Sequence, residues 1–244
     1  MKRNTPPTKA LTKRNSKKRK TQVYEKYATP SLKGPSLKCF QISLNNQNYF
    51  ASGGSAGAVA LCLGIAQGDA EYNRDGTHVR HKSLTFRGEI YIAPAASGYV
   101  DSDVLRTCII YDRSPNGVLP IFSDIVYNSG TGTSAPIDPF SFKNRDRFYV
   151  VRDWLHSTND FTATVAASIP TYTSKGVLDN STPLILKAFK NFNFKLDTKF
   201  LSSSGAISGI QAGAFYVVTQ GTFASPGPYF LNWSMEFVYS DSLH

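Results

Sequence analysis

A serine in a glycine-rich turn is the first residue whose surroundings could do chemistry. Residues Gly53–Gly57 fit the pattern G-x-S-x-G, which in α/β-hydrolases presents a nucleophilic serine, here Ser55, between a strand and a helix. That chemistry also needs an aspartate and a histidine further along the chain. The sequence around the turn is typical of strands, and loops rich in glycine, serine and alanine match the pattern easily. We therefore expect no nucleophile at Ser55 and predict that the protein is not an enzyme.

Two pairs of residues could contribute to a metal site, but neither pair has enough ligands. His78 and His81 are three residues apart, a spacing that places them on opposite faces of a strand. Asp101 and Asp103 bracket a turn that could hold calcium between subunits. The three cysteines have no zinc-ligand spacing. We predict no metal and no cofactor, with both histidines exposed or facing nucleic acid and both aspartates in a solvated loop.

Charge is strongly segregated along the chain. Of its 27 lysines and arginines, twelve lie in Met1–Lys38, where Glu25 is the one acid, whereas the rest of the chain is nearly neutral. So basic a segment, poor in apolar residues, cannot fold alone, and it binds phosphate backbones by releasing condensed counterions. We predict that residues 1–37 form a disordered basic N-terminal arm that binds nucleic acid. The binding residues of the arm would be Lys2, Arg3, Lys9, Lys13, Arg14, Lys17, Lys18, Arg19 and Lys20.

The same arm predicts that the protein enters the nucleus. The run KRNSKKRK is typical of a nuclear localisation signal. Neither a signal peptide nor an apolar stretch of roughly 18 residues is present, so we expect no membrane insertion. No amphipathic face accompanies the charges, which argues against docking on a membrane surface. The residues of this nuclear signal would be Lys13, Arg14, Lys17, Lys18, Arg19 and Lys20.

The remaining residues, 38–244, are predicted to form one all-β domain. Side chains alternate between apolar and polar in Ser83–Ile92, around Asn191 and in Tyr229–Tyr239, and turn sequences separate about eight such strands. Phe192, Phe194 and Leu196 are expected to share one face. The one segment with helical character is Ser55–Ala66. The best prediction is an eight-stranded antiparallel jelly-roll sandwich.

Four segments, in this order and spacing, resemble a known family. They are ASGGSAGAVALCLGIAQGDAEYNRDGTHVRHKSLTFRGEIYI (residues 51–92), RTCIIYDRSPNGVLPIFSDIV (106–126), RDRFYVVRDW (145–154) and SGIQAGAFYVV (208–218). Together they resemble the capsid proteins of small circular single-stranded DNA viruses of the geminivirus-like kind. The chain lacks the cysteine and histidine patch common in geminivirus coat proteins, so we expect a related circular-DNA virus rather than a plant geminivirus.

The resemblance implies a capsid protein of the virion that also enters the host nucleus. It implies an icosahedral T=1 shell of about sixty copies, with the arms turned inward to a single-stranded DNA genome. Binding of the arm by host nuclear import receptors would bring the protein to the nucleus. Residues 1–20 of sixty copies would supply about 540 positive charges, enough for only a minority of the phosphates of such a genome. Small ions or residues on the inner face are expected to supply the rest.

Three other functions remain open from the sequence. The same shell could belong to a small RNA or satellite virus, because a basic arm does not distinguish DNA from RNA. A non-viral jelly-roll binding module, such as a trimeric ligand or lectin, would share the fold. A hydrolase using Ser55 is the third alternative.

Overall fold

The computed structural model describes residues 37–49, 58–70, 72–92, 104–127, 135–157, 183–222 and 229–242. Nine strands account for most of these residues. A four-residue helix, α1 (Phe122–Ile125), and a single 3-10 turn (Ile207–Gly209) are also present. The strands are β1 (Leu37–Asn48), β2 (Ala58–Leu61), β3 (His78–Ile92), β4 (Val104–Asp112), β5 (Phe148–Ser157), β6 (Leu184–Phe200), β7 (Ile210–Ala212), β8 (Ala214–Gly221) and β9 (Tyr229–Ser242).

The strands form two antiparallel sheets. The first sheet has the order β1-β9-β3-β6-β7 and the second has the order β2-β8-β4-β5. The prediction of an all-β antiparallel sandwich is confirmed. The described residues contain nine strands where about eight were predicted, and two of the nine were not predicted: β2, and the three-residue β7 at the edge of the first sheet. Without β7, each sheet has four strands, in the interleaved order of a jelly roll.

The core lies between the two sheets, and alternating side chains of β3 and β9 supply much of it. On β3 the inward side chains Leu84, Phe86 and Ile90 are almost fully buried, as the pattern predicted. The six inward side chains of β9 are also buried, and each large apolar side chain removed from water contributes about 1.5–3 kcal/mol. These six residues are Tyr229, Leu231, Trp233, Met235, Phe237 and Tyr239.

Two local predictions are wrong. The segment predicted as a helix contains β2 at Ala58–Leu61, which pairs with β8, and residues 62–66 are not helical. Phe194 does not share the buried face of Phe192, because a bulge interrupts β6 opposite Lys82. Asn193 and Phe194 have φ angles of 50° and 61° there, so the alternation of side chains breaks and Phe194 is 39% exposed. In the described part of the chain, no helix is long and apolar enough to cross a membrane.

The outer face of the second sheet is covered by the connection between β4 and β5. Every residue of β4 from Leu105 to Asp112 is buried, because Phe122, Ile125 and Phe140 of the connection pack back onto the sheet. Arg106 fastens this cover by donating hydrogen bonds to the backbone oxygens of Pro136 and Asp138, at 3.0 and 2.5 Å. The first sheet has exposed side chains on its outer face and is therefore the more open surface.

Candidate nucleic-acid interface

The outward-facing side chains of the first sheet form two adjacent rows across four strands. In one row, the register aligns Gln41 of β1, Glu236 of β9, Thr85 of β3 and Phe189 of β6. The second row lies two residues along each strand, a step of about 6.5 Å. It aligns Ser43, Ser234, Arg87 and Lys187.

This surface, here called the basic sheet face, carries six basic side chains. Five of them are exposed and Lys82 is partly buried. Among the described residues none of the six forms an ion pair. Lysine and arginine side chains that are exposed and unpaired are available to phosphate groups. The six residues are Arg80, Lys82, Arg87, Lys187, Lys195 and Lys199.

Three acids share the same surface, but two of them are engaged by neighbours. Asp197 Oδ2 lies 2.6 Å from His78 Nε2. Glu236 Oε2 accepts a hydrogen bond of 2.8 Å from Gln41 Nε2. The third acid is Glu89, which is partly buried on β3. The surface therefore remains positive on balance.

Two arginines that are bound to protein oxygens differ from those on the basic sheet face. Arg74 is fully buried, donates hydrogen bonds to three backbone oxygens and lies 4.1 Å from the ring centre of Phe200. Arg147 makes a two-pronged contact with the buried carboxylate of Asp112, at 3.0 and 2.8 Å. That hydrogen-bonded carboxylate raises the pKa of Arg147. These arginines stabilise the fold and cannot serve a ligand without leaving a buried group unpaired.

Exposed apolar side chains lie among the charges of β6. Phe189 is 69% exposed and Ile185 is 52% exposed, on either side of Lys187 along the outward face. An aromatic ring beside unpaired basic groups can stack on nucleic-acid bases while the charges hold the backbone.

A shallow concavity of about 550 Å³ lies on this surface. Its rim includes Gln41, Thr85, Arg87 and Glu236, so hydroxyl, amide, carboxylate and guanidinium groups all face it. Its volume falls within the usual range of small-ligand sites.

His78 and His81 lie on opposite faces of β3. His78 lies on the outer surface beside Asp197, whereas His81 is fully buried between the sheets, so the prediction that both are exposed is wrong for His81. His81 Nε2 is 2.8 Å from Thr198 Oγ1, and Nδ1 has no hydrogen-bond partner. Burial outweighs the nearby Asp197 carboxylate and lowers the pKa of His81 to about 3. The ring is therefore a neutral core residue.

The other residues singled out in the sequence lie outside the described residues. These are the nine basic residues of the arm, from Lys2 to Lys20, together with Ser55, Asp101 and Asp103. The described segment that follows Ser55 is strand β2 rather than the helix that a nucleophile turn requires. Within the described ranges, no group of three or more histidine, cysteine or acidic side chains is placed to hold a metal ion.

Lys38, the last base of the basic segment, has a structural role. Its ammonium lies 2.6 Å from Asp75 and 3.4 Å from Asp241, and it donates a hydrogen bond of 2.8 Å to the backbone oxygen of Asn73. Burial alone would lower the pKa of Lys38, but these carboxylates outweigh it and raise the pKa. These contacts hold the Lys38 side chain at the start of β1, so it is not available to a phosphate group.

The net charge of residues 39–244 gives no indication of the basic sheet face. The total over residues 39–244 is near zero because acids elsewhere cancel these bases. A signal was nevertheless present: Arg87 belongs to the outward set of an alternating strand, and β6 contains four lysines and one acid, Asp197. Assigning each base to a strand face would have found part of the surface.

One comparison with known proteins assigns a family. Residues 1–232 match the model of the Geminivirus coat protein/nuclear export factor BR1 family. No curated protein matches the sequence significantly.

Two solved virus structures show a distant likeness. Desmodium yellow mottle tymovirus is 10% identical, with 100% of this chain and 94% of that chain covered and a TM-score of 0.29. Turnip yellow mosaic virus is 9% identical, with 86% and 97% covered and a TM-score of 0.28. Values this low do not establish a shared fold.

Proposed function

The chain belongs to the Geminivirus coat protein/nuclear export factor BR1 family and is a viral capsid protein, and on that premise we propose that it encloses single-stranded DNA in an icosahedral shell. The shell is a T=1 assembly of about sixty copies, closed by symmetry. The basic arm, residues 1–37, gathers the genome inside it. The role is structural, and no catalytic step is part of it.

The segregation of charge carries this proposal. Twelve bases stand against one acid in Met1–Lys38, and the rest of the chain is nearly neutral. A neutral body lets many copies pack side by side without strong mutual repulsion. A basic arm binds the phosphate backbone whatever the nucleotide sequence, and packaging of a whole genome requires this.

The basic sheet face supports the same function from the folded domain. Its six bases and three acids add about three net positive charges to the nine bases of residues 1–20, which gives about twelve per subunit. Sixty copies then supply about 720 net positive charges instead of about 540, so the face reduces the shortfall of the arms without removing it. The basic sheet face can contribute these charges only if the first sheet faces the interior of the shell.

The run Lys13–Lys20 also binds host nuclear import receptors in this proposal. A cluster of six bases within eight residues is the observation that motivates it. Residues 1–20 fused to a fluorescent protein should accumulate in the nucleus of host cells. The same fusion with those six bases changed to glutamine should not. Equal nuclear signal from both fusions would remove the import role.

Electron microscopy and nuclease digestion of purified particles test the function directly. Uniform shells near 20 nm across are expected for a small T=1 capsid of this subunit size. Nucleic acid extracted from them should be digested by DNase and resist RNase. A persistent monomer would contradict the capsid assembly. RNase-sensitive cargo would favour an RNA or satellite virus instead.

A further inference from the structure

We propose that the concavity on the basic sheet face is a nucleotide site that holds two consecutive nucleotides of a single strand and prefers bases with an exocyclic amine. One base stacks on Phe189, and its phosphate contacts Arg87 and Lys187. The adjacent base enters the concavity and donates its amine to the Gln41–Glu236 pair. This inference rests on the proposed function in one respect, that the cargo is single-stranded nucleic acid.

The stacking step follows from the exposure and position of Phe189. An aromatic side chain left 69% exposed on a strand gains little from the core, whereas a stacked base would cover its ring. Its register neighbour is Thr85, which lines the concavity. The ring therefore stands at the edge of the site. Duplex DNA keeps its base faces stacked inside, so such a platform selects single strands.

The phosphate step follows from the second row of the sheet. Arg87 and Lys187 are register partners on β3 and β6, directly beside the row that holds Phe189. Both are exposed, and within the described ranges neither has an ion-pair partner. Adjacent strands lie about 4.8 Å apart, so the two cations can contact one phosphate together.

The preference for an amine follows from an acid inside a basic surface. Glu236 would repel a phosphate, yet it lies beside the positive groups and is held by Gln41 at 2.8 Å. That bond occupies one carboxylate oxygen and leaves the second carboxylate oxygen and the amide oxygen of Gln41 as acceptors. Carboxylates accept hydrogen bonds from the cytosine N4 amine, whereas the corresponding O4 of uracil is itself an acceptor.

The concavity also has a suitable size and lining. Its volume of about 550 Å³ has room for one base and part of its sugar. Ser43 and Ser234 add hydroxyl groups to its rim. These groups can donate or accept, so they support binding without selecting a base.

Deoxycytidine and deoxyuridine 12-mers test the preference, because the two bases differ in the groups that reach Glu236. Full-length protein, kept as unassembled subunits and checked by sedimentation, should bind the cytidine oligomer about fivefold more tightly in fluorescence anisotropy. The Glu236→Gln variant should lose this ratio, since its amide also donates to O4. A wild-type ratio near one, or a ratio unchanged by the substitution, would overturn the preference.

Substitutions of phenylalanine test the stacking step. Phe189→Leu should weaken binding of both oligomers about tenfold, and Phe189→Trp should retain the affinity. Phe142→Leu is the matched control, because Phe142 is 75% exposed on the β4–β5 connection. An equal, small effect of Phe189→Leu and Phe142→Leu would rule out the platform.

Salt dependence separates the charge contacts from stacking. Arg87→Gln should lower the slope of log affinity against log salt by about one unit, and Phe189→Leu should leave the slope unchanged. An unchanged slope for Arg87→Gln would contradict the phosphate contact. Binding without any base preference would defeat this inference alone. Failure of full-length protein to bind either oligomer would defeat the proposed function as well.

Discussion

At the scale of single residues, burial separates the groups that maintain the fold from those that can meet a ligand. Arg74 and Arg147 are bound to protein oxygens, whereas Arg80 and Arg87 project from the outer face of β3. Counting all arginines together would hide this division. Arginines of the first kind are needed for folding, and those of the second kind can be changed with little cost in stability.

His81 makes a prediction about acid stability. Its folded-state pKa, about 3, is below the ordinary value of 6.5, so between these two values the unfolded chain binds a proton that the folded protein does not. The stability that this histidine contributes is complete above pH 6.5 and is lost as the pH falls towards 3, by up to about 1.4 kcal/mol per pH unit.

Urea unfolding at pH 7, 6, 5 and 4 measures this effect. The His81→Gln variant keeps a hydrogen-bond donor but cannot titrate, so its free energy of unfolding should fall less steeply with acid than that of the wild type. Carboxylates contribute equally to both curves and cancel in the difference. Parallel curves for the two proteins would show that His81 is not held neutral.

At the scale of elements, the course of β6 depends on a bulge within the strand and on a close approach by the backbone at Gly213. The bulge at Asn193 and Phe194 shifts the register of β6 against β3. Gly213, between β7 and β8, has a φ of 74°. A Cβ there would collide with the carbonyl oxygen of Asp197 and lie 2.8 Å from the Tyr111 hydroxyl. This glycine lets β8 approach β6, and the fold depends on it.

Two glycines with similar backbone angles provide a matched test. Gly117 has a φ of 82°, but the nearest atom to a Cβ there is 3.9 Å away. Gly117→Ala should cost about 1 kcal/mol for the left-handed conformation alone. Gly213→Ala should cost at least about 3 kcal/mol, because collision adds to the same strain. Equal losses of unfolding free energy would mean that the close approach has no energetic role.

The sequence predicted the strands whose alternation is regular and missed those whose form depends on neighbours. β9 and the Ser83–Ile92 part of β3 alternate regularly, so their inward residues were correctly identified, whereas His81 lies before the bulge in β3 and was wrongly predicted to be exposed. β2 has four apolar residues without alternation, and its pairing with β8 makes it a strand. The bulge in β6 was invisible because Phe192 and Phe194 keep the spacing of an ordinary strand. The basic sheet face needed the register of four strands, which no single segment contains.

At the scale of the whole molecule, positive charge is concentrated in two parts of the chain. Residues 1–20 carry nine bases, and the basic sheet face carries six on the strands of the first sheet. Phosphate contacts of a long basic segment do not depend on the nucleotide sequence, whereas side chains on a sheet can contact bases and distinguish one base type from another. Together they would allow the function proposed above, in which the capsid protein packages a single-stranded genome.

The number of packaged nucleotides per particle tests the central claim most directly. Purified shells of the wild type would be compared with shells of a variant in which the nine bases of residues 1–20 are changed to glutamine, which keeps the arm at its full length. Phosphate analysis, normalised to protein, should show a loss of about half or more of the packaged single-stranded DNA, because nine of the twelve net positive charges that residues 1–20 and the basic sheet face supply per subunit are removed. Shells that hold as many nucleotides without those charges would contradict the account.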